Sequence, residues 1–221
     1  ETYTNAVAKL NLDIAVKSAS ALGSRMNPAW EKIRDKMFIP FDEKNQTHPI
    51  YENAPAGSKE STEFWTSVAP LLAYPLQMNM SSEAKRNDFQ HAVEGLRITG
   101  AGANMGINFL PLIAAEIGSD SLLNLTLELT YRGFLRPPFN VLAETHKNKS
   151  VNFITGAGAF LQQIIFGYTG LRITEGGVVQ KFKPMLPANI KSLTLKNFII
   201  NGKASDILVS GGEIKISPVS R

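Results

Sequence analysis

Cysteine is absent from this 221-residue chain. Disulfides, thiolate nucleophiles and cysteine-ligated zinc are therefore excluded. The absence fits oxidising and reducing compartments equally, so a periplasmic or secreted location and a cytoplasmic one both stay open. Charge of one sign is scarce too. The formal net charge is only +4, and the basic residues are dispersed. Lys32, Arg34 and Lys36 alternate with Glu31 and Asp35 along one short predicted helix, the pattern of a solvated face and not of a nucleic-acid surface. No apolar run approaches the roughly 18–20 residues that a membrane span needs. His48, His91 and His146 have no metal-ligand spacing, so no metal is expected. Gly100-Ala101-Gly102 lacks the preceding strand and the further glycine of a dinucleotide loop and is not read as one; no organic cofactor is implied.

What is present is a chain with 43% hydrophobic residues, enough for one domain or one and a half. Thr4 to Leu22 carries Val7, Leu10, Ile14 and Ala15 near the 3.6-residue period and stops at Gly23, which predicts an amphipathic helix. Asn27-Pro28 opens a shorter one, with Trp30, Ile33 and Met37 on one face. Pro40 to Lys59 is irregular, and a loop of that length is usually functional. Helices are expected over Ser61–Ala73, from Ser81-Ser82-Glu83 to Leu96, and over Asp120–Arg132. Residues 104–117 are almost wholly apolar, with Pro111 expected to bend the helix. Pro137-Pro138 breaks the chain, and Phe153 to Tyr168 reads as a last helix, buried on most sides.

After Gly170 the period changes. Val178–Phe182, Leu193–Leu195, Phe198–Ile200, Ile207–Val209 and Glu213–Ile216 read as short strands. Gly176-Gly177, Asn201-Gly202 and Gly211-Gly212 supply hairpin turns. Residues 1–170 are thus expected to be helical and residues 171–221 a small antiparallel β unit. The chain opens at Glu1-Thr2-Tyr3, inside what reads as a helix start, and is expected to be the C-terminal part of a longer protein.

The segment richest in chemistry is 136–174. Glu144 stands in a polar loop (Thr145 to Ser150) that leads into the apolar stretch Asn152–Gly170. There, Gly156, Ala157, Gly158 and Ala159 allow close approach of backbone or ligand. The run AETHKNKSVNFITGAGAFLQQIIFGYTGLRIT resembles the end of the catalytic barrel of glycoside hydrolase family 65, in its hydrolase branch. YTNAVAKLNLDIA (Tyr3–Ala15), AWEKIRDKMFIPFDEKNQTHP (Ala29–Pro49), LLAYPL (Leu71–Leu76) and RPPFNVLAE (Arg136–Glu144) agree in the same order. NFITGAGAFLQ and FGYTGLR are the most specific blocks.

The resemblance implies the later helices of an (α/α)6 barrel followed by a small antiparallel β unit, and the alternation of amphipathic with apolar helices agrees. It implies an inverting α-glycoside hydrolase acting on a di- or oligosaccharide or a glycoconjugate. Glu144 would be the general base. The general acid would come from an upstream part of the same protein, because the family's Asp-Glu-Tyr motif precedes the equivalent of Tyr3-Thr4-Asn5. This polypeptide alone would then be inactive. Trp65 and Thr66 occupy the place of the family's sugar-binding Lys-Gln pair, replacing charged hydrogen bonds by an apolar platform. Asn152 and Phe153 are further substrate-binding candidates. Val151 and Asn152 stand where the family's phosphorylases hold phosphate, and neither is a good phosphate ligand. A phosphorylase of the same fold and a non-catalytic carbohydrate-binding relative remain the alternatives. Association with further copies of the chain stays open.

Overall fold

A computed structural model describes residues 1–54, 69–99, 102–147 and 152–219. Its contacts divide the chain into two units, residues 1–100 and 101–221.

In the first unit, the Glu1 carboxylate accepts the Thr4 N–H at 2.9 Å and caps helix α1 (Thr2–Ala21). The buried positions of α1 are Thr2, Ala6 and Ala19. Val7, Leu10 and Ile14, expected to face inward, are exposed, Ile14 by 52%. Small residues let α1 lie close to its neighbours, so in this unit the larger apolar stripe faces out. Helix α2 (Ala29–Lys36) follows Pro28, and the Asn27 side chain accepts the Ala29 N–H at 3.0 Å, as Asn27-Pro28 implied. Helix α3 (Ala69–Ala73) is buried at every position. Ser81 accepts the Ala84 N–H at 3.0 Å and opens helix α4 (Ser82–Thr99). The irregular segment is tied to α4 through His48. Its N–H donates to Asp88 Oδ1 at 2.8 Å, and its ring Nδ1 lies 2.7 Å from Oδ2. Both residues are buried.

The second unit starts with helix α5 (Asn104–Ile117), buried continuously from Gly106 to Ala115 and carrying Pro111 inside it. Gly118, at φ 80°, turns the chain, and Ser119 caps helix α6 (Asp120–Tyr131). Two short strands come next, β1 (Leu135–Arg136) and β2 (Val141–Leu142), paired antiparallel. The almost wholly helical region expected before Gly170 contains these two short strands as well. The Pro137-Pro138 break is the turn of a small hairpin, because neither proline can donate to a helix.

Helix α7 (Ile154–Gln162) passes directly into a π-helical turn, Gln163–Gly167. One stripe, Gly156, Ala159, Gln163 and Gly167, is buried. A Cβ on Gly167 would stand 3.0 Å from the Leu112 Cα, so this stripe lies against α5. Burial on most sides is not what the fold shows. Ile154 and Leu161, on the other face, are 81% and 57% exposed.

The change from helix to strand falls between Gly167 and Leu171. Strand β3 (Leu171–Thr174) pairs with β4 (Gly177–Gln180). The β4 ladder ends before Lys181, since the N–H groups of Lys181 and Phe182 turn to the Gly170 carbonyl instead, at 2.9 and 3.1 Å. Strands β5 (Ser192–Ile200), β6 (Lys203–Ser210) and β7 (Glu213–Pro218) form a three-stranded antiparallel sheet in that order. Asn201-Gly202 and Gly211-Gly212 are its turns, all at positive φ, as two-residue hairpins of this kind require. A helical region followed by a small antiparallel β unit is thus the architecture, as the change of period implied.

Candidate functional site

The candidate site grows out of the β1–β2 hairpin. Each of its strands is two residues long, and so short a hairpin is marginal in water on its own. Three backbone hydrogen bonds extend its hold on the chain beyond Leu142. Ala143 donates to the Phe134 carbonyl at 2.9 Å, Asn104 donates to the Glu144 carbonyl at 2.8 Å, and Phe153 donates to the Leu142 carbonyl at 2.9 Å. Asn104 is the first residue of α5, and Phe153 immediately precedes α7. The backbone of residues 142–144 is therefore held at the starts of two helices. Ala143 and Phe134 beneath it are buried, and Glu144 is half-buried.

Beyond Glu144 the chain is gripped by Arg136. One terminal nitrogen of its guanidinium donates to the carbonyls of Gly133 (2.7 Å) and Leu135 (3.1 Å). The other donates to the carbonyls of Thr145 (3.2 Å) and His146 (2.8 Å). The His146 ring lies against Phe134, centroids 4.3 Å apart. It also covers Gly133, whose φ is 80° and where a Cβ would come within 3.1 Å of the imidazole.

Behind Glu144 lies a buried polar column. The Asn104 side chain donates to the Thr130 carbonyl at 2.7 Å, and its Oδ1 accepts from Asn108 at 2.9 Å. A Cβ on Gly156 would lie 2.3 Å from that Oδ1. The glycine is needed there for close approach, not for its φ. Further along the same seam, the Asn108 Oδ1 and both polar atoms of the Gln163 amide are buried without a partner among the described residues. Two asparagines four apart in an apolar run were the sequence signal for this column. Arg136 carried none, because the four carbonyls it holds here belong to the backbone.

Of the candidates read from the sequence, Asn152 and Phe153 come together. With Asn140, Val141, Leu142, Ile154, Ala157, Phe160 and Leu161 they line an open, mostly apolar cavity of about 410 Å³. Asn140 and Asn152 both stand at positive φ, 53° and 63°. Glu144 lies on the same stretch of chain but outside this lining. Trp65, Thr66 and Val151 fall outside the described residues. Among the described residues no group of His, Asp and Glu has the arrangement of a metal site, and no helix is long and apolar enough to cross a membrane.

The chain is like the proteins of glycoside hydrolase family 65, as the NFITGAGAFLQ and FGYTGLR blocks implied. Among individual relatives, it is 32% identical over 216 residues to a protein-glucosylgalactosylhydroxylysine glucosidase of Danio rerio, matching 97% of this chain and 32% of the relative. It is 29% identical over 195 residues to a kojibiose hydrolase of Mucilaginibacter mallensis, matching 88% of this chain and 28% of the relative. A solved structure described as a candidate kojibiose phosphorylase from the human microbiome shares the fold. Its TM-score is 0.65 at 12% identity, over 98% of this chain and 36% of that one. The chain thus spans about a third of the length of the curated relatives it matches. No family model matches it.

Proposed function

We propose that this chain carries the general base of an inverting α-glycoside hydrolase, and that Glu144 is that base. One observation supports the assignment above the rest. Glu144 is half-buried and its backbone is fixed where α5 and α7 begin, through Asn104 N–H to its own carbonyl and Phe153 N–H to Leu142. A general base must hold its carboxylate in one place relative to a water and a sugar, and a carboxylate on a solvated loop does not. The relatives named as a glucosidase and a kojibiose hydrolase give the reaction class, hydrolysis of a glycosidic bond in a di- or oligosaccharide or a glycoconjugate.

In an inverting reaction Glu144 takes a proton from water as that water attacks the anomeric carbon. A second carboxyl group, from the upstream part of the protein, protonates the leaving oxygen on the opposite face. The two carboxyl groups would stand about 6.5–9.5 Å apart, with the water between them. The later helices of an (α/α)6 barrel are the frame this reading assigns to residues 1–170. Asn152, in place of a phosphate ligand, favours water over phosphate as the nucleophile.

The test is Glu144→Gln in the whole protein, with glucose release from kojibiose as the readout. Turnover should fall by roughly 10²–10⁴-fold, the effect typical of a lost general base. Binding of the disaccharide should persist, since the amide keeps the shape and one acceptor. Near-parental turnover would end the assignment. Acceleration by inorganic phosphate, with release of a sugar 1-phosphate, would replace hydrolysis by phosphorolysis.

A further inference from the structure

We propose that Arg136 is a positioning residue for Glu144, an inference that rests on the reading of Glu144 as general base. Arg136 lies on β1, eight places before Glu144 in the chain. Its guanidinium joins the two ends of the hairpin that delivers the carboxylate. Gly133 and Leu135 lie before the turn, Thr145 and His146 beyond Glu144, and all four carbonyls accept from its two terminal nitrogens.

The geometry leaves little freedom at Glu144. Its own carbonyl is taken by the Asn104 N–H at 2.8 Å. The next two carbonyls are taken by Arg136. Three successive peptide planes are therefore oriented, and with them the direction in which the Glu144 side chain leaves the backbone. The ladder alone does not achieve this, because it has only two residue pairs, Leu135↔Leu142 and Arg136↔Val141, and both precede Glu144. His146 adds to the grip by packing on Phe134.

Lysine is a poor substitute. A guanidinium is a rigid planar fork that can reach two pairs of acceptors on opposite sides. An ammonium is a point charge with three donors on a flexible stem. Hydrogen bonds from a charged donor are also the strong ones, so losing several of them loosens the segment they cross-link.

The experiment compares Arg136→Lys, Arg136→Ala and Glu144→Gln in the whole protein. Backbone amide exchange is read first. In R136A, and to a lesser degree in R136K, the amides of Asn104 and Ala143 should exchange roughly ten- to hundredfold faster, the size expected for losing charge-assisted hydrogen bonds. Amides of the β5–β7 sheet should not change. Turnover of kojibiose is read second. Its kcat should fall with KM little changed, the signature of a group that matters in the transition state and not in binding. Low concentrations of free guanidinium should restore part of the R136A activity, which no general loss of folding would allow.

Parental exchange at Asn104 and Ala143 in both Arg136 variants would overturn the inference, as would faster exchange with unchanged kcat. If R136A does not fold, R136K carries the same two readouts. The reading of Glu144 is tested separately. Normal turnover in E144Q would remove the base and this inference with it. An inactive E144Q beside fully active R136K and R136A would leave the base standing and overturn the role of Arg136 alone.

Discussion

Gly156 shows at the scale of one residue how the candidate site depends on space. Adding a single methyl group there would place it 2.3 Å from the Asn104 Oδ1 and 2.8 Å from the Phe153 ring. Asn104 cannot yield cheaply, because its amide holds the Thr130 carbonyl and accepts from Asn108 in a fully buried setting. Gly156→Ala should therefore cost roughly 1–3 kcal/mol of stability, the range for forcing extra volume into a packed interior. It should also displace the start of α5, whose first N–H holds Glu144. Chemical denaturation checks the first effect and kojibiose turnover the second. Gly158 is the internal control: a Cβ there meets nothing within 4 Å, so G158A should be neutral or slightly stabilising, by up to about 1 kcal/mol. Much at this scale was readable beforehand. Of the small residues at 156–159, expected to allow close approach, Gly156 does so and Gly158 does not, and Asn201-Gly202 announced its turn. The Arg136 grip was not readable, because nothing in a sequence marks which carbonyls an arginine will find.

Among the elements, the irregular segment before residue 54 and helix α4 are joined by one buried pair. Burial pushes the Asp88 carboxyl above its ordinary value of 3.8, against the opposing pull of the hydrogen bonds from His48. A carboxyl whose value is higher in the folded than in the unfolded chain stabilises the fold while protonated. That contribution is complete below pH 3.8 and is lost as pH rises through the folded value. Asp88→Asn cannot titrate. The stability of the parent relative to D88N should therefore decline as pH is raised from below 3.8 through the acid range, then level off. Urea denaturation of both proteins over a pH series reads this directly, and a difference that grows with pH would contradict it. Helix α1 shows the limit of periodicity for an element. The spacing of Val7, Leu10 and Ile14 identified a helix with a stripe, correctly. It could not identify what the stripe meets, and the small residues Ala6 and Ala19 took the buried side. The extent of α7 was legible in the same partial way. Its apolar content announced a helix, and only the close contact of Gly167 with Leu112 shows which face is buried.

For the whole molecule, the order helix then strand was legible because the period of the hydrophobic pattern changes at Gly170, and because glycine and asparagine mark each hairpin. What the pattern concealed is the joint between the two kinds of structure. Arg172, on β3, is buried and meets the equally buried Glu116 of α5 at 2.7 Å. The same guanidinium donates to the Phe166 carbonyl in the π-helical turn at 2.7 Å and lies 4.7 Å from the Phe182 ring centre. Neither residue stood out in the sequence, since an arginine and a glutamate 56 places apart carry no periodicity. Removing one partner leaves the other charge buried alone, so Arg172→Ala should lower stability by about 3–5 kcal/mol. Differential scanning calorimetry would measure the loss.

The same joint bears on how the second unit comes apart. A sheet that only abuts a helix can melt separately and leave an intermediate. Here β3 is rooted through Arg172 in α5, the helix that also begins at the Glu144 loop, so heat has no seam to open. Residues 101–221 should give up helix and strand in one transition, with circular dichroism and tryptophan-independent near-ultraviolet signals superimposed. Once Arg172 is gone the two signals should part, and the β unit should loosen at a lower temperature than the helices it was fastened to.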